Sequence, residues 1–388
     1  MTIADDTTLF ITVNDPAVAT ASLTSDWQEI ETWSQQWLVT FNPSKTKSMI
    51  ISRKRIPRTY PDIVFMDKTL ETDSEHKHLG LILRSDLTWS NHINEITNKG
   101  MKMVNILKHL QMRLSRKSLE ILYLSFVRPI LEYGSVVWDG CTSSESEQLE
   151  SVQLAAARVI TGAIRGTKHQ LIYEESGLEK LSDCRVESKL TLFYKIVHGL
   201  APNYLQNLLP NYVHDRNRYA VRSNQNLSVM LTRTNLFNAS FFPSTVRLWN
   251  GLPTNVRNSE NVGEFRTKLN KNTKKCNKLY YIGERRAAIF HARIRMQCSK
   301  LQADLFNIGV VDSPTCACGI ANEDAFHYFS ECPKYKTSRD QLQSSILPLA
   351  SFTVETLLYG SQYCSFEENV IIFKSVHRYI TSTARFDT

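Results

Sequence analysis

An α+β fold dominated by helices is predicted for this chain by three observations. A short N-terminal stretch alternates strand-like and helix-like segments, helical periodicity then runs for about 110 residues, and a Cys/His cluster stands near the C-terminus. The 388 residues, 42% of them hydrophobic, can bury a real core and divide into two or three units. Forty-six basic against 38 acidic residues leave a net charge of +8, which favours polyanionic partners but is also common among ordinary soluble proteins. No segment approaches the ~20 apolar residues of a membrane span, and residues 1–6 lack the basic start and apolar run of a secretory signal. These features point to an intracellular chain without membrane contact, in which thiols stay reduced and a Cys/His cluster is better explained by metal than by disulfides.

At the N-terminus, Ile3-Ala4-Asp5-Asp6-Thr7-Thr8-Leu9-Phe10 brackets two adjacent carboxylates with strand formers, as at the tip of an apolar hairpin. Such a pair suits two divalent ions about 4 Å apart, although a lone Asp-Asp is commonplace in solvated turns. A strand follows over Leu9 to Val13, then a break at Pro16 and an amphipathic helix carrying Leu23, Trp27, Ile30 and Trp37. The turn Phe41-Asn42-Pro43-Ser44-Lys45-Thr46 feeds a strand through Met49-Ile50-Ile51, and Ile63-Val64-Phe65 and Leu79 to Leu83 are further short strands. Gly80 within the last of these permits close backbone approach but equally marks a plain bulge. Trp89 and His92 are structural, the histidine lying on the surface at a helix start.

From Ser90 the period is that of helices. Ile93, Ile96, Val104, Leu107 and Leu110 form one stripe; Leu119, Leu122 and Phe126 form a second behind a Ser115 cap; a third helix runs from Glu145 to Thr161, burying Leu149, Val152, Ala156 and Val159 and stopping at Gly162. An extended connector follows from Pro202 to about Asn238. Ser240-Phe241-Phe242-Pro243 and Leu248-Trp249-Asn250-Gly251-Leu252-Pro253 are apolar anchors in turns.

Two basic runs stand out. From Lys45 to Arg58 there are six basic residues and no acid; from Phe265 to Ala303 there are eleven, including Lys271, Lys274, Lys275, Arg285, Arg286, Arg293 and Arg295, against Glu284 alone. Tyr280, Tyr281 and Phe290 interleave the second run. Cations beside rings suit single-stranded nucleic acid, and a solvated basic face fits the same composition.

The Cys316-x-Cys318-x8-His327-x4-Cys332 arrangement offers three thiolates and an imidazole, a closed tetrahedral set for structural Zn²⁺. Asn322 is expected to cap a helix from Glu323 to Glu331 that turns His327 and Cys332 to one side, with Pro333 as its end. Cys141, Cys184, Cys276, Cys298 and Cys364 show no paired spacing and are expected to be buried or incidental thiols.

Taken in order, the Asp5-Asp6 hairpin, Asn42-Pro43-Ser44-Lys45-Thr46, His78-Leu79-Gly80-Leu81 and Asp86-Leu87-Thr88-Trp89 resemble the back half of the palm of reverse transcriptases from non-LTR (LINE-like) retrotransposons. Phe-Phe-Pro, Trp-Asn-x-Leu-Pro and the C-terminal knuckle extend the likeness along nearly the whole chain. The resemblance implies a partial palm with a primer-grip region over 1–88, a helical thumb over 89–201, a connector and basic region over 202–305, a zinc knuckle over 306–340 and a helical tail over 341–388. It implies RNA-templated DNA synthesis with two Mg²⁺ ions. In that resemblance Asp5 would be the principal metal ligand and Asp6 a lesser one, Lys45 would neutralise the leaving pyrophosphate, and Gly80 would lie where a primer phosphate is gripped. RNA template, DNA primer or single-stranded nucleic acid are the implied partners. Ile3 departs from the family's usual aromatic residue. The family's first palm Asp and its fingers would precede Met1, so this chain alone is expected not to polymerise efficiently. A non-enzymatic zinc-containing nucleic-acid-binding protein and a degenerate element remnant are the alternatives.

Overall fold

A computed structural model describes residues 2–3, 6–12, 14–52, 60–213, 226–270 and 276–387. It is mainly helical, 58% helix and 6% strand, which places the chain in the α+β class with helices dominant. Two compact units divide at residues 94 and 95. Among the described residues no helix is long and apolar enough to cross a membrane.

In the first unit, Thr2–Ile3 pairs antiparallel with Asp6–Thr7, Ile3 standing opposite Asp6. The Pro16–Trp37 helix begins where expected: Asp15 caps it by accepting the Ala17 N–H at 2.9 Å, and Pro16 takes a position whose N–H has no helical partner anyway. Trp27 lies on Phe65, ring centroids 4.4 Å apart, so the helix covers the Val64–Phe65/Lys68–Thr69 hairpin. Two expected strands shrink. Leu9–Thr12 is irregular, and the strand before Met49 is confined to Lys47–Ser48, paired parallel with Glu71–Thr72. Strand-forming composition alone does not make a strand where the ladder lacks a partner.

Gly80 is not inside a strand. Glu75–His78 pairs with Leu81–Arg84 in register His78 to Leu81, leaving Leu79 (φ 47°) and Gly80 (φ 82°) as a two-residue turn. Positive φ at both positions is the twist that a tight hairpin requires, and glycine adopts it without strain. His92 is buried rather than on the surface; its Nδ1 lies 3.4 Å from the Ile82 N–H. The Trp89 indole meets the His92 ring edge-on at 6.3 Å.

The second unit is built of packed helices. The division between the units falls inside the Ser90–Leu110 helix, in which Ile93, Ile96, Val104 and Leu107 are buried as their spacing predicts. Ser115 caps Arg116–Leu122 by accepting the Ser118 N–H at 3.1 Å. The next stripe differs: Tyr123, Val127 and Leu131 are buried with Leu119, and Phe126 is 56% exposed. A π-helical turn over Tyr123–Val127 precedes Pro129, which cannot donate an N–H and crowds the carbonyl four residues back. The wider turn displaces the buried face by one residue.

The third helix spans Ser143–Thr161. It begins two residues before the expected Glu145, which instead closes a capping box with Thr142. Gly162 stops it at φ 83°, and a Cβ there would sit 2.6 Å from Ile289 Cγ2. Gly162→Ala is therefore expected to cost about 2–4 kcal/mol, combining left-handed strain with overpacking, as a drop in urea midpoint at unchanged slope. An unchanged midpoint would refute this.

Phe241–Asn250 is a helix rather than a turn, with Pro243 tolerated in its first turn. Its Trp249 joins Phe193, Tyr194 and Phe265 in one aromatic core, the packing role expected of it. A further core runs from Leu279 to Phe386 and includes Tyr328, Phe329, Leu342, Ile346, Phe373 and Ile380. The Cys/His segment and the C-terminal helices thus share one interior.

Candidate metal centre and nucleic-acid contacts

The Cys/His segment opens as a tight hairpin. Thr315 bridges Asn322, the Cys316 N–H donates to Ala321 O at 2.8 Å, and Gly319, at φ 76°, donates to Cys316 O at 2.8 Å. Asn322 is occupied in that bridge, so the following turn is capped by Asp324, whose Oδ1 accepts the His327 N–H at 2.8 Å. In an α-helix, side chains five residues apart would point about 140° away from each other. His327 and Cys332 converge because His327–Glu331 is a π-helical turn, closed by the Cys332 N–H donating to His327 O at 2.8 Å.

The four ligand atoms gather within 4.8 Å of one another. Cys316 Sγ lies 3.7 Å from Cys332 Sγ, and Cys318 Sγ 3.2 Å from His327 Nε2. Tetrahedral Zn²⁺ with Zn–S bonds of about 2.3 Å requires sulfurs about 3.8 Å apart, so the residues present fit the ion. Cys316, His327 and Cys332 are buried, and Cys318 is half-buried. The Ile320 N–H, followed by the neighbouring sulfur and imidazole, lowers the Cys318 thiol to about 7, whereas burial pushes Cys316 up to about 12. A bound dication would favour the thiolate at every position.

Around this set, buried Arg339 donates to Cys332 O at 2.7 Å, and Glu331 stands 3.7 Å from His327 Nδ1, beyond hydrogen-bond reach. Arg339, Glu331 and Asp324 carried no spacing signal beyond the position of Asp324 three residues before His327. All eight cysteines are free; Cys184 and Cys298 are buried, and Cys141, Cys276 and Cys364 half-buried, as expected of incidental thiols.

The remaining expected site residues scatter. Asp5 lies outside the described residues, and the Asp6 backbone is in the short strand opposite Ile3. Lys45 is exposed on a turn in which its N–H donates to Asn42 O at 3.0 Å. Lys47 is ion-paired with Glu71. Lys271, Lys274 and Lys275 lie outside the described residues.

Three arginines of the second basic run, expected as phosphate contacts, make hydrogen bonds within the fold. Arg285 donates to Val159 O, Ile160 O and Gln111 O at 2.6, 2.7 and 3.0 Å, and Arg293 donates to Gly162 O at 2.7 Å. They satisfy carbonyls left open at the ends of two helices, Val159, Ile160 and Gly162 at the end of Ser143–Thr161 and Gln111 just past Ser90–Leu110. Burial, then Arg116 and Arg293, lowers Arg285 to about 10.

Arg295 is buried against Glu175, with Nε–Oε2 2.9 Å and Nη2–Oε1 2.7 Å, and lies 4.0 Å over the Tyr280 ring. Arg116 joins the same carboxylate at 2.6 Å. Tyr281 donates to Glu120 at 2.6 Å, and Phe290 packs on Phe386 at 5.1 Å. The rings expected to stack on bases are thus engaged by the protein. Of the four arginines expected to bind nucleic acid, Arg286 is the exposed one, and it is paired with Asp387 at 2.8 Å.

Comparison with known proteins identifies three relatives in Drosophila melanogaster. Over 156 residues, 39% of this chain and 17% of the relative, the chain is 24% identical to the "Probable RNA-directed DNA polymerase from transposon X-element". It is 27% identical over 172 residues to the corresponding protein from transposon BS, covering 43% of this chain and 19% of the relative. It is 24% identical over 185 residues to the RNA-directed DNA polymerase from mobile element jockey, covering 47% and 20%. The chain therefore spans about a fifth of the length of each relative it matches. No family model matches the chain, and no solved structure does. The resemblance to non-LTR retrotransposon reverse transcriptases, drawn from motif order, is borne out by these similarities.

Proposed function

We propose that this chain is the part of a retrotransposon RNA-directed DNA polymerase that carries its aspartate hairpin and nucleic-acid-binding C-terminal region. One observation carries the reading: three separate relatives share that one named activity. The first unit is assigned to the palm, the helices from Ser90 to the thumb, and Cys316, Cys318, His327 and Cys332 to a structural Zn²⁺ centre. Mg²⁺ ions, where present, would supply Lewis-acid activation and charge neutralisation for nucleotidyl transfer. Asp5 and Asp6 would offer the carboxylates, Lys45 a cation for the leaving pyrophosphate, and Gly80 a close backbone approach to the primer.

Two adjacent carboxylates carry too little charge to hold two dications against their mutual repulsion. The purified chain is therefore expected to bind a DNA primer annealed to an RNA template, with affinity falling steeply as salt rises, but not to extend the primer in Mg²⁺. Failure to bind at low salt would refute the assignment. Extension that Asp5→Ala abolishes would refute the inactivity while upholding the role of Asp5.

A further inference from the structure

We propose that the cleft between the Lys336–Ile346 and Phe366–Ser382 helices binds the sugar–phosphate backbone of a single nucleic-acid strand. The inference rests on the nucleic-acid reading above and gives it a location, because the arginines that composition suggested are engaged within the fold. The cleft has a volume of about 680 Å³, and Gly283 and Glu284 also line it. That volume takes a nucleotide or two and is far too narrow for a duplex.

Its walls are lined by hydroxyls and an amide: Ser338, Gln341 and Ser345 from one helix, Thr381 and Ser382 from the other. Hydroxyl and amide side chains with lysine and arginine are the usual partners of phosphate and sugar oxygens, and they carry no base preference. The charge is asymmetric. Lys374 and Arg378 stand one turn apart on the exposed face, and neither has a carboxylate partner among the described residues. Glu284 is the single acid of the lining. Arg295, Arg185 and Arg385 are each matched to a carboxylate, whereas Lys374 and Arg378 set two cations on adjacent turns at the edge of a polar cleft. The two rings that line the cleft, His377 and Tyr379, are both buried, so base stacking is not part of the contact.

The test is fluorescence anisotropy of labelled oligo(dT) and oligo(U) with the full zinc-loaded chain. Lys374→Ala/Arg378→Ala is expected to weaken binding of both probes about tenfold and to reduce the slope of log affinity against log salt by about 1.4, the release of two counterions from a single strand. Arg165→Ala/Lys168→Ala removes the same charge from an exposed loop elsewhere and is expected to act several-fold less. Gln341→Trp obstructs the cleft without changing charge and is also expected to weaken binding. If the wild type binds while the cleft variants match it, or match the loop control, the cleft assignment falls and the nucleic-acid reading stands. If the wild type binds neither probe, both fall. Unaltered circular-dichroism melts of the three variants exclude misfolding as the cause of any loss.

Discussion

Glu175→Ala is expected to destabilise the second unit by about 3–5 kcal/mol, because it leaves two guanidinium groups buried without a counter-charge. Glu175 and Arg295 each keep a side-chain exposure of 3%, and Arg116 keeps 5%. The three belong to helices at Arg116–Leu122, His169–Ser176 and Arg285–Arg295, so the carboxylate joins elements 120 residues apart in sequence. Chemical denaturation monitored by tryptophan fluorescence would read the loss directly. A change below about 1 kcal/mol would show that water reaches the triad and screens it.

The same triad sets an acid limit. Burial acts to raise the Glu175 pKa, but Arg295 and then Arg116 outweigh it and hold the carboxyl below its ordinary value. A depressed folded-state pKa contributes stability that is fully present above the unfolded value of about 4.3 and is lost as pH falls through the folded value. Wild-type stability is therefore expected to decline below about pH 4, and a Glu175→Gln variant to lose that component of the decline. Parallel pH profiles for the two proteins would contradict the assignment.

The second large effect concerns the thiolate set. The chain is expected to purify with one equivalent of Zn²⁺, and Cys332→Ala to lose it, whereas Cys364→Ala, at a half-buried thiol outside the cluster, keeps it. Isolated zinc fingers draw about 10–16 kcal/mol of folding energy from the metal. The effect here is expected to be smaller and local, because Tyr328 and Phe329 also anchor the segment in a core that extends to Phe386. Chelation should raise amide exchange across residues 315–332 by several orders of magnitude and leave the aromatic core around Trp249 protected. A zinc-free wild type with the same exchange protection would refute the metal assignment.

Much of the architecture was legible because it rests on local chemistry. Asp15 with Pro16, the Ser115 cap and the Gly162 stop act within a few residues, and the sequence marks them directly. The Cys/His set that could hold a metal was equally legible, since its four residues lie within 17 residues, 316 to 332. The two π-helical turns were not. Each stands just before a proline, Pro129 and Pro333, and each shifts side chains by one residue relative to an ideal helix. That shift buries Val127 in place of Phe126 and brings His327 and Cys332 together.

The amino-acid sequence by itself determined the helical class, the caps, the Cys/His set that could hold a metal and the similarity to transposon RNA-directed DNA polymerases. Only the tertiary structure decided what the basic residues do. A charge count cannot distinguish Arg295, held against a glutamate 120 residues away, from Arg378, which faces solvent beside a polar cleft. The physical reason is desolvation. A buried cation must find a carboxylate or carbonyls wherever the fold supplies them, and that partner is set by packing between distant helices.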